Sequence, residues 1–275
     1  MRPISDLVLT HAGKFHADDV FSAALLRILK PGVEIRRVYQ VPEGFDGLAF
    51  DIGWGEFDHH QAGAPVRPNG VPYAAFGLLW REYGPSLLGE TEAQRLDERF
   101  VQPLDLDDNT GCGGVLPDII ADFNPLWDSG DDPDRRFFEA VEVAERILRN
   151  RIEAVRAMGR AYHVVKEGVR RMKDGVVVLE VYCPWKPFVA KTQAKFVVYP
   201  SQRGGWSGQC VPEPEKEGSL KCPFPQEWAG RAPEELRALT GIPTLRFCHN
   251  NRFLIAADTK EDAVAACLLA GRPSP

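Results

Sequence analysis

The 275-residue chain, with 44% hydrophobic and 26% charged residues, has the composition of an ordinary globular protein and is long enough for one large or two modest domains. A net charge of −6 argues against coating long nucleic acid by charge alone, while a short phosphate substrate stays open because bound divalent ions would bring local positive charge. No run approaches the roughly 20 apolar residues of a membrane helix, the first residues lack the apolar stretch of a secretory leader, and the six cysteines form no C-x-x-C pair, so a reducing cytoplasm without membrane association is the expected setting.

In chain order, Leu7 to Thr10 is a short apolar run suited to a buried strand, with His11 just past its carboxyl end. After Ala12-Gly13, residues Val20, Phe21, Ala24, Leu25, Ile28 and Leu29 recur at helical spacing, so a helix starts near Asp18. His16 and Asp18 thereby fall on a strand-to-helix loop. Val33 to Val41 is a second strand, and Leu48 to Phe50 a third that runs into Asp51 and then Asp58-His59-His60. Four of the six histidines lie in this stretch together with Asp18, Asp19, Asp51 and Asp58. Imidazole mixed with carboxylate is the ligand set of a hydrolytic divalent-metal site. Strand ends converging on one edge of a parallel sheet are where open α/β folds place such sites. Asp18 and Asp19 also suit helix N-caps, and a His-His pair also suits a solvated turn.

A helix is expected over Tyr73 to Tyr83, stopped by Gly84, and another from Glu90 to about Val101. It leads into Leu104-Asp105-Leu106-Asp107-Asp108-Asn109, which reads either as a solvated helix end or as the completion of the metal site. Residues 111–133 are a Gly-, Pro- and Asp-rich loop with a short helix around Asp118 to Phe123. From Asp134 to Met172 an apolar stripe predicts a long helical connection, interrupted at Gly159 and Gly168. Beyond Lys173-Asp174-Gly175 the pattern changes to short strands punctuated by Pro and Gly, closed by a helix over Glu261 to Leu269. The expected class is α/β: an N-terminal parallel-sheet domain over 1–133, a helical connection over 134–175, and a smaller α+β domain over 176–275.

These motifs resemble the DHH phosphoesterase superfamily, named for the Asp-His-His carried here by Asp58-His59-His60. More narrowly the chain resembles its Myg-type branch, associated with 3′–5′ RNA exonuclease activity. T-H-A-G-K-F-H-A-D-D-V, F-D-H-H-Q and L-D-L-D-D-N carry the resemblance in the first half. C-P-W-K, F-V-V-Y-P, W-S-G-Q-C-V-P and F-C-H-N-N-R-F carry it in the second, so that it spans nearly the whole chain.

The resemblance implies a DHH domain followed by a DHHA-like domain, with two divalent ions, Mn²⁺ favoured and Mg²⁺, Co²⁺ or Zn²⁺ as alternatives. One ion would take His11, His16 and a share of Asp51. The other would take Asp18, Asp51, His59 and Asp108, with Asp105 as the alternative to Asp108. His60 would face the substrate phosphate, with Asp58 beside it and Lys14 balancing charge. His249, Asn250, Arg252, Trp185, Lys186 and Trp206 would grip the rest of the substrate, aromatics by stacking and cations on phosphate. Asp19 stands where the branch has Glu and is expected to lie behind the ligands. The branch's C-terminal Gly-Gly pair is replaced by Leu254-Ile255-Ala256-Ala257, so that either Arg252 takes over a phosphate contact or the substrate differs.

The expected partner is short nucleic acid, with a homodimer as an open assembly state. A phosphatase or pyrophosphatase acting on a small phosphate compound, and a non-catalytic metal-binding protein keeping the fold, are the competing readings.

Overall fold

Strand β1 (Leu7–His11) is the middle strand of a parallel sheet in which β2 (Glu34–Val38) and β3 (Leu48–Ala49) flank it. The register in this computed structural model sets Val8 against both Ile35 and Leu48, and all three are buried. The structure describes residues 2–216 and 218–272. Because the strands are parallel, their carboxyl ends, and with them His11 and Asp51, come to one edge.

Helix α1 (Ala17–Leu29) follows β1, with His16 as its N-cap and Asp18 and Asp19 in its first turn. The backbone N–H of His16 donates to Asp19 Oδ1 at 2.9 Å, the return half of a capping box that fixes where the helix begins. Helix α2 (Ala75–Leu88) runs through Gly84 and Pro85 instead of stopping at Gly84. A Cβ at Gly84 would meet the Trp80 indole at 2.7 Å, so this glycine lets a buried ring lie against its own helix.

The next stretch is helical without a gap: α3 (Glu90–Leu96), a π-helical turn (Asp97–Val101) and α4 (Gln102–Thr110). The acidic run is therefore a helix, ended by left-handed Gly111. After α5 (Val115–Ala121), helix α6 (Pro133–Arg170) continues unbroken through Gly159 and Gly168. Each glycine costs a helix only about 1 kcal/mol, too little to break one this long with an apolar stripe to bury. Gly168 also gives room for Val177 and Leu179, which a Cβ would meet at 3.1 and 2.7 Å.

The contacts divide the chain into two compact units, Met1–Arg156 and Ala157–Pro275, with the division inside α6. The second unit holds a five-stranded sheet in the order β4-β5-β6-β8-β7 (Val176–Val178, Phe196–Pro200, Trp206–Cys210, Leu254–Ala257, Leu245–Cys248). Only the β4–β5 pair is parallel. Period-two alternation gives this sheet two buried faces. Phe196 and Val198 pack with Ala263, Ala266 and Cys267 of the last helix, while Val197 and Tyr199 pack with Ala161 and Val165. The helices α7 (Lys186–Val189), α8 (Pro233–Thr240) and α9 (Lys260–Ala270) complete it. No helix among the described residues is long and apolar enough to cross a membrane, and all six cysteines are free thiols.

Candidate metal centre

The strand edge of the first unit gathers three groups of potential ligands: His11, Asp19 and Asp51; Asp51, His59 and His60; and His16, Asp18 and Asp108. Asp51 belongs to two of them, and its two oxygens face different histidines. Oδ2 lies 3.2 Å from His11 Nε2, and Oδ1 lies 3.1 Å from His59 Nε2. His11 Nε2 is also 3.0 Å from Asp19 Oδ2. His59 Nε2 lies 3.2 Å from Asp108 Oδ2 and 3.8 Å from Asp18 Oδ2, while His16 Nδ1 is 3.7 Å from Asp108 Oδ1.

Asp51 holds its position with φ at +55°, a left-handed backbone that costs a residue with a Cβ about 1 kcal/mol or more. Its N–H donates to the Phe57 carbonyl at 2.9 Å, tying the two ends of the 51–57 loop together. The β1–α1 loop is held as firmly. The buried guanidinium of Arg37 donates to the carbonyls of His11 and Gly13 at 3.2 and 2.6 Å, and Asn124 both donates to and accepts from the Phe15 backbone.

Asn109 sets a tautomer. Its amide nitrogen donates to the carbonyls of Tyr73 and Asp105, leaving Oδ1 as an acceptor 3.4 Å from His59 Nδ1. In the neutral ring, a proton on Nδ1 leaves the Nε2 lone pair toward Asp51 and Asp108, the arrangement a metal-ligating imidazole needs. His60 is arranged differently. Its Nδ1 lies 2.7 Å from Asp58 Oδ1, and its side chain is 57% exposed.

The electrostatics of this cluster are unbalanced. Asp18 is fully buried, and neither of its carboxyl oxygens has a hydrogen-bond partner. Burial, then the nearby charges of Asp51, Asp108 and Asp19, push its carboxyl well above the ordinary range. Burial likewise raises Asp19. Against the opposing effect of burial, the hydrogen bonds to Asp19 and Asp51 push His11 up to about 10, and Asp51 similarly raises His59. An isolated carboxylate out of water costs several kcal/mol or more, roughly, unless a cation or a proton compensates it. The orphaned Asp18 oxygens, within an imidazole and carboxylate donor set, fit a divalent metal ion.

Asp105 is not brought to the cluster. It lies three residues before Asp108 on α4, fully buried, with Oδ2 at 2.7 Å from Arg67 Nη2 and Oδ1 accepting from Gly77 N at 3.0 Å. The carboxylate thus serves the first turn of α2, whose own N-cap, Ala74, has no side chain to offer. Burial pushes Asp105 up to about 7 against the pull of Arg67. Asp19, expected behind the ligands, forms one of the candidate groups with His11 and Asp51.

The remaining expected residues are dispersed. Lys14 is exposed on the β1–α1 loop. Trp185, expected to stack on substrate, is corrected: it is 2% exposed and packs in the core of the second unit beside Tyr199, so its ring has no face to offer. Lys186 is exposed at the start of α7. Trp206 is half-buried with Lys260 Nζ 5.5 Å from its ring centroid. His249, Asn250 and Arg252 lie on the β7–β8 turn. There His249 Nδ1 accepts from Asn251 N, and Arg252 has a φ of +57°. Arg252 also lines a cavity of about 660 Å³ with Glu213, Glu215 and Lys216.

A parallel sheet at whose strand edge three His and Asp groups gather, two of them sharing Asp51, defines this chain as a mixed α/β protein with a candidate metal centre. Comparison with known families narrows that class. The family profile described as "MYG1_exonuc: Uncharacterised protein family (UPF0160)" matches residues 7–270, and the chain belongs to that family. Similar proteins include the "MYG1 protein" of Dictyostelium discoideum, 25% identical over 99% of this chain and 98% of that protein. The "MYG1 exonuclease" of Mus musculus is 26% identical, covering 97% of this chain and 85% of its own length. The "MYG1 protein" of Chlamydia trachomatis is 27% identical over 94% of this chain and 93% of its own.

Proposed function

We propose that this chain is a divalent-metal-dependent phosphoesterase of the DHH superfamily, acting as a 3′–5′ exonuclease on short nucleic acid. The observation that carries the reading is Asp18: a buried carboxylate with neither oxygen hydrogen-bonded, grouped with His16 and Asp108 beside two further ligand groups that share Asp51. Similar proteins named exonucleases support a nucleic-acid substrate.

Two ions are proposed, Mn²⁺ favoured by the mixed donors. His11, Asp19 and Asp51 would hold one; His16, Asp18, Asp108 and His59, with Asp51 shared, would hold the other. Ions bound there would activate water and neutralise phosphoryl oxygens. Asp58 orients His60 through Nδ1, leaving Nε2 to donate to a phosphate oxygen as charge develops on it. Lys14 adds a mobile positive charge on the same loop as His16. On the second unit, Lys186, Trp206, His249, Asn250 and Arg252 are proposed as nucleic-acid contacts in their own right.

A panel of short RNA, short DNA, cyclic dinucleotides, 3′,5′-bisphosphate nucleotides and pyrophosphate, assayed with and without Mn²⁺, tests the reading. Stepwise release of nucleotides from the 3′ end of RNA, lost on chelation, is expected. Full turnover in stringently metal-free protein would sink it, and activity confined to pyrophosphate or bisphosphate nucleotides would favour the small-phosphate alternative.

A further inference from the structure

Trp54 sits in the short loop between Asp51 and Asp58, the two aspartates that flank the centre's second strand end. The residue is 78% exposed. Among the described residues no hydrogen bond reaches its Nε1, and no other ring or cation packs on it. The backbone beneath is the reverse of loose. Trp54 N donates to Asp58 Oδ2 at 2.7 Å, the carboxylate whose other oxygen holds His60 Nδ1 at 2.7 Å. Gln61 Nε2 donates to the carbonyls of Gly55 and Asp58, and Asp58 N donates to Gly55 O.

The loop is also strained at this residue. Asp51, Gly53 and Trp54 all have positive φ, at 55°, 86° and 57°. Glycine or asparagine would fill such a position with less strain. A bulky residue held left-handed persists only where its surroundings over-determine it, and strain of this kind concentrates at functional sites. Here the strain fixes the backbone beneath a large, exposed apolar side chain, one hydrogen bond from the carboxylate that orients His60.

We propose that Trp54 is a stacking platform for a nucleobase of the substrate, placed beside the metal centre by the 51–58 loop; this rests on the nucleotide-phosphoester reading above. Stacking tolerates any base, because every base has a π face. The platform therefore grips the nucleotide at the centre without demanding a particular sequence. The other highly exposed indole, Trp127 at 95%, follows α5 and has no backbone tie to the ligand groups, which makes it the control.

The test is equilibrium binding of adenosine 5′-monophosphate and of ribose 5-phosphate, by calorimetry with Mn²⁺ present. Wild-type protein and the Trp54→Ala, Trp54→Phe and Trp127→Ala variants are compared, with metal content measured on each. Wild type should bind the mononucleotide roughly tenfold or more tightly than the sugar phosphate, the scale of one base–aromatic stack. Trp54→Ala should erase that preference while keeping its metal and its grip on ribose 5-phosphate. Trp54→Phe should restore most of the preference, and Trp127→Ala should keep all of it. Equal wild-type affinity for the two ligands overturns the platform, as does a preference that survives Trp54→Ala or is lost in Trp127→Ala. Base preference carried by Trp54 in a protein that cleaves no oligonucleotide would instead leave the platform standing and remove the nuclease reading.

Discussion

Asp105 and Asp108 stand one turn apart on the same helix, and each joins a different group of carboxylates. Around Asp105 the chain supplies its own cation. Arg67 forms paired bonds to Asp97 at 2.7 and 3.0 Å, a third to Asp105 at 2.7 Å, and lies 3.9 Å from the Tyr73 ring centroid. Around Asp108 no lysine or arginine among the described residues forms an ion pair with Asp18, Asp19, Asp51 or Asp108; only imidazoles approach them. A buried carboxylate with an internal guanidinium is a structural clamp. A buried carboxylate without one calls for a cation from outside. The difference teaches that acidic residues in one short run can serve unrelated ends, decided by which positive charge can reach them.

Substitutions can break or sharpen this contrast. The largest effect is expected at Asp51, whose oxygens lie near His11, His59 and His60. Since partners behind metal ligands already cost about 10–100-fold in affinity, Asp51→Asn should lower metal affinity by well over about a hundredfold. Asp105→Asn should leave metal binding close to wild type in the same titration calorimetry. If Asp105→Asn strips a metal while Asp108→Asn keeps it, the two groups have been assigned the wrong way round.

Stability should divide them in the opposite sense. Asp105→Asn leaves Arg67 without one of its buried partners and should destabilise the first unit by about 3 kcal/mol, with or without metal. Asp18→Asn removes an uncompensated buried charge, so metal-free protein should gain about 1–2 kcal/mol while losing its stabilisation by Mn²⁺. Denaturant unfolding with and without Mn²⁺ measures both. A metal-free Asp18→Asn protein as weakened as Asp105→Asn would mean that Asp18 is already compensated within the chain.

Gly77→Ala probes the clamp from its other side. A Cβ there would lie 1.7 Å from Asp105 Oδ2 and 2.6 Å from Arg67 Nη2, and the resulting shift should cost about 1–3 kcal/mol in unfolding free energy. Metal affinity should change little, and a large loss would show the clamp and the centre to be one cooperative unit. The smallest effect belongs to Asn109→Ala, which frees His59 to take the wrong tautomer. A fall of about tenfold in metal affinity is expected, with the fold unchanged by circular dichroism. No fall would mean that Asp51 and Asp108 orient His59 without help.

Much of the centre is legible before folding because its signals are local. His11 past an apolar run, His16 and Asp18 before a helical repeat, and Asp51 after a third strand are placed by periodicities of two and 3.6 residues. Gly84, Gly159 and Gly168 misled for a related reason. A glycine weakens a helix locally, but Trp80 in the first case and β4 at Gly168 use the missing side chain for close packing. Trp185 carried the right chemistry for stacking, and nothing around it in the chain says that the second unit buries its ring.

The amino-acid order alone was enough for the His and Asp side chains of the candidate centre, the strand-to-helix placement of most of them and the α/β texture of the first half, since each depends on neighbours within a few residues. Folding in three dimensions settled that Asp108 joins the histidines while Asp105 turns to Arg67, that Asp19 lies against His11, and that Trp54 is exposed. Asp105 and Arg67 are 38 residues apart, and Asp19 and Asp51 are 32 apart. A buried charge is stabilised by whichever opposite charge or donor the fold carries within a few ångströms, and that distance is not written in the spacing of residues along the chain.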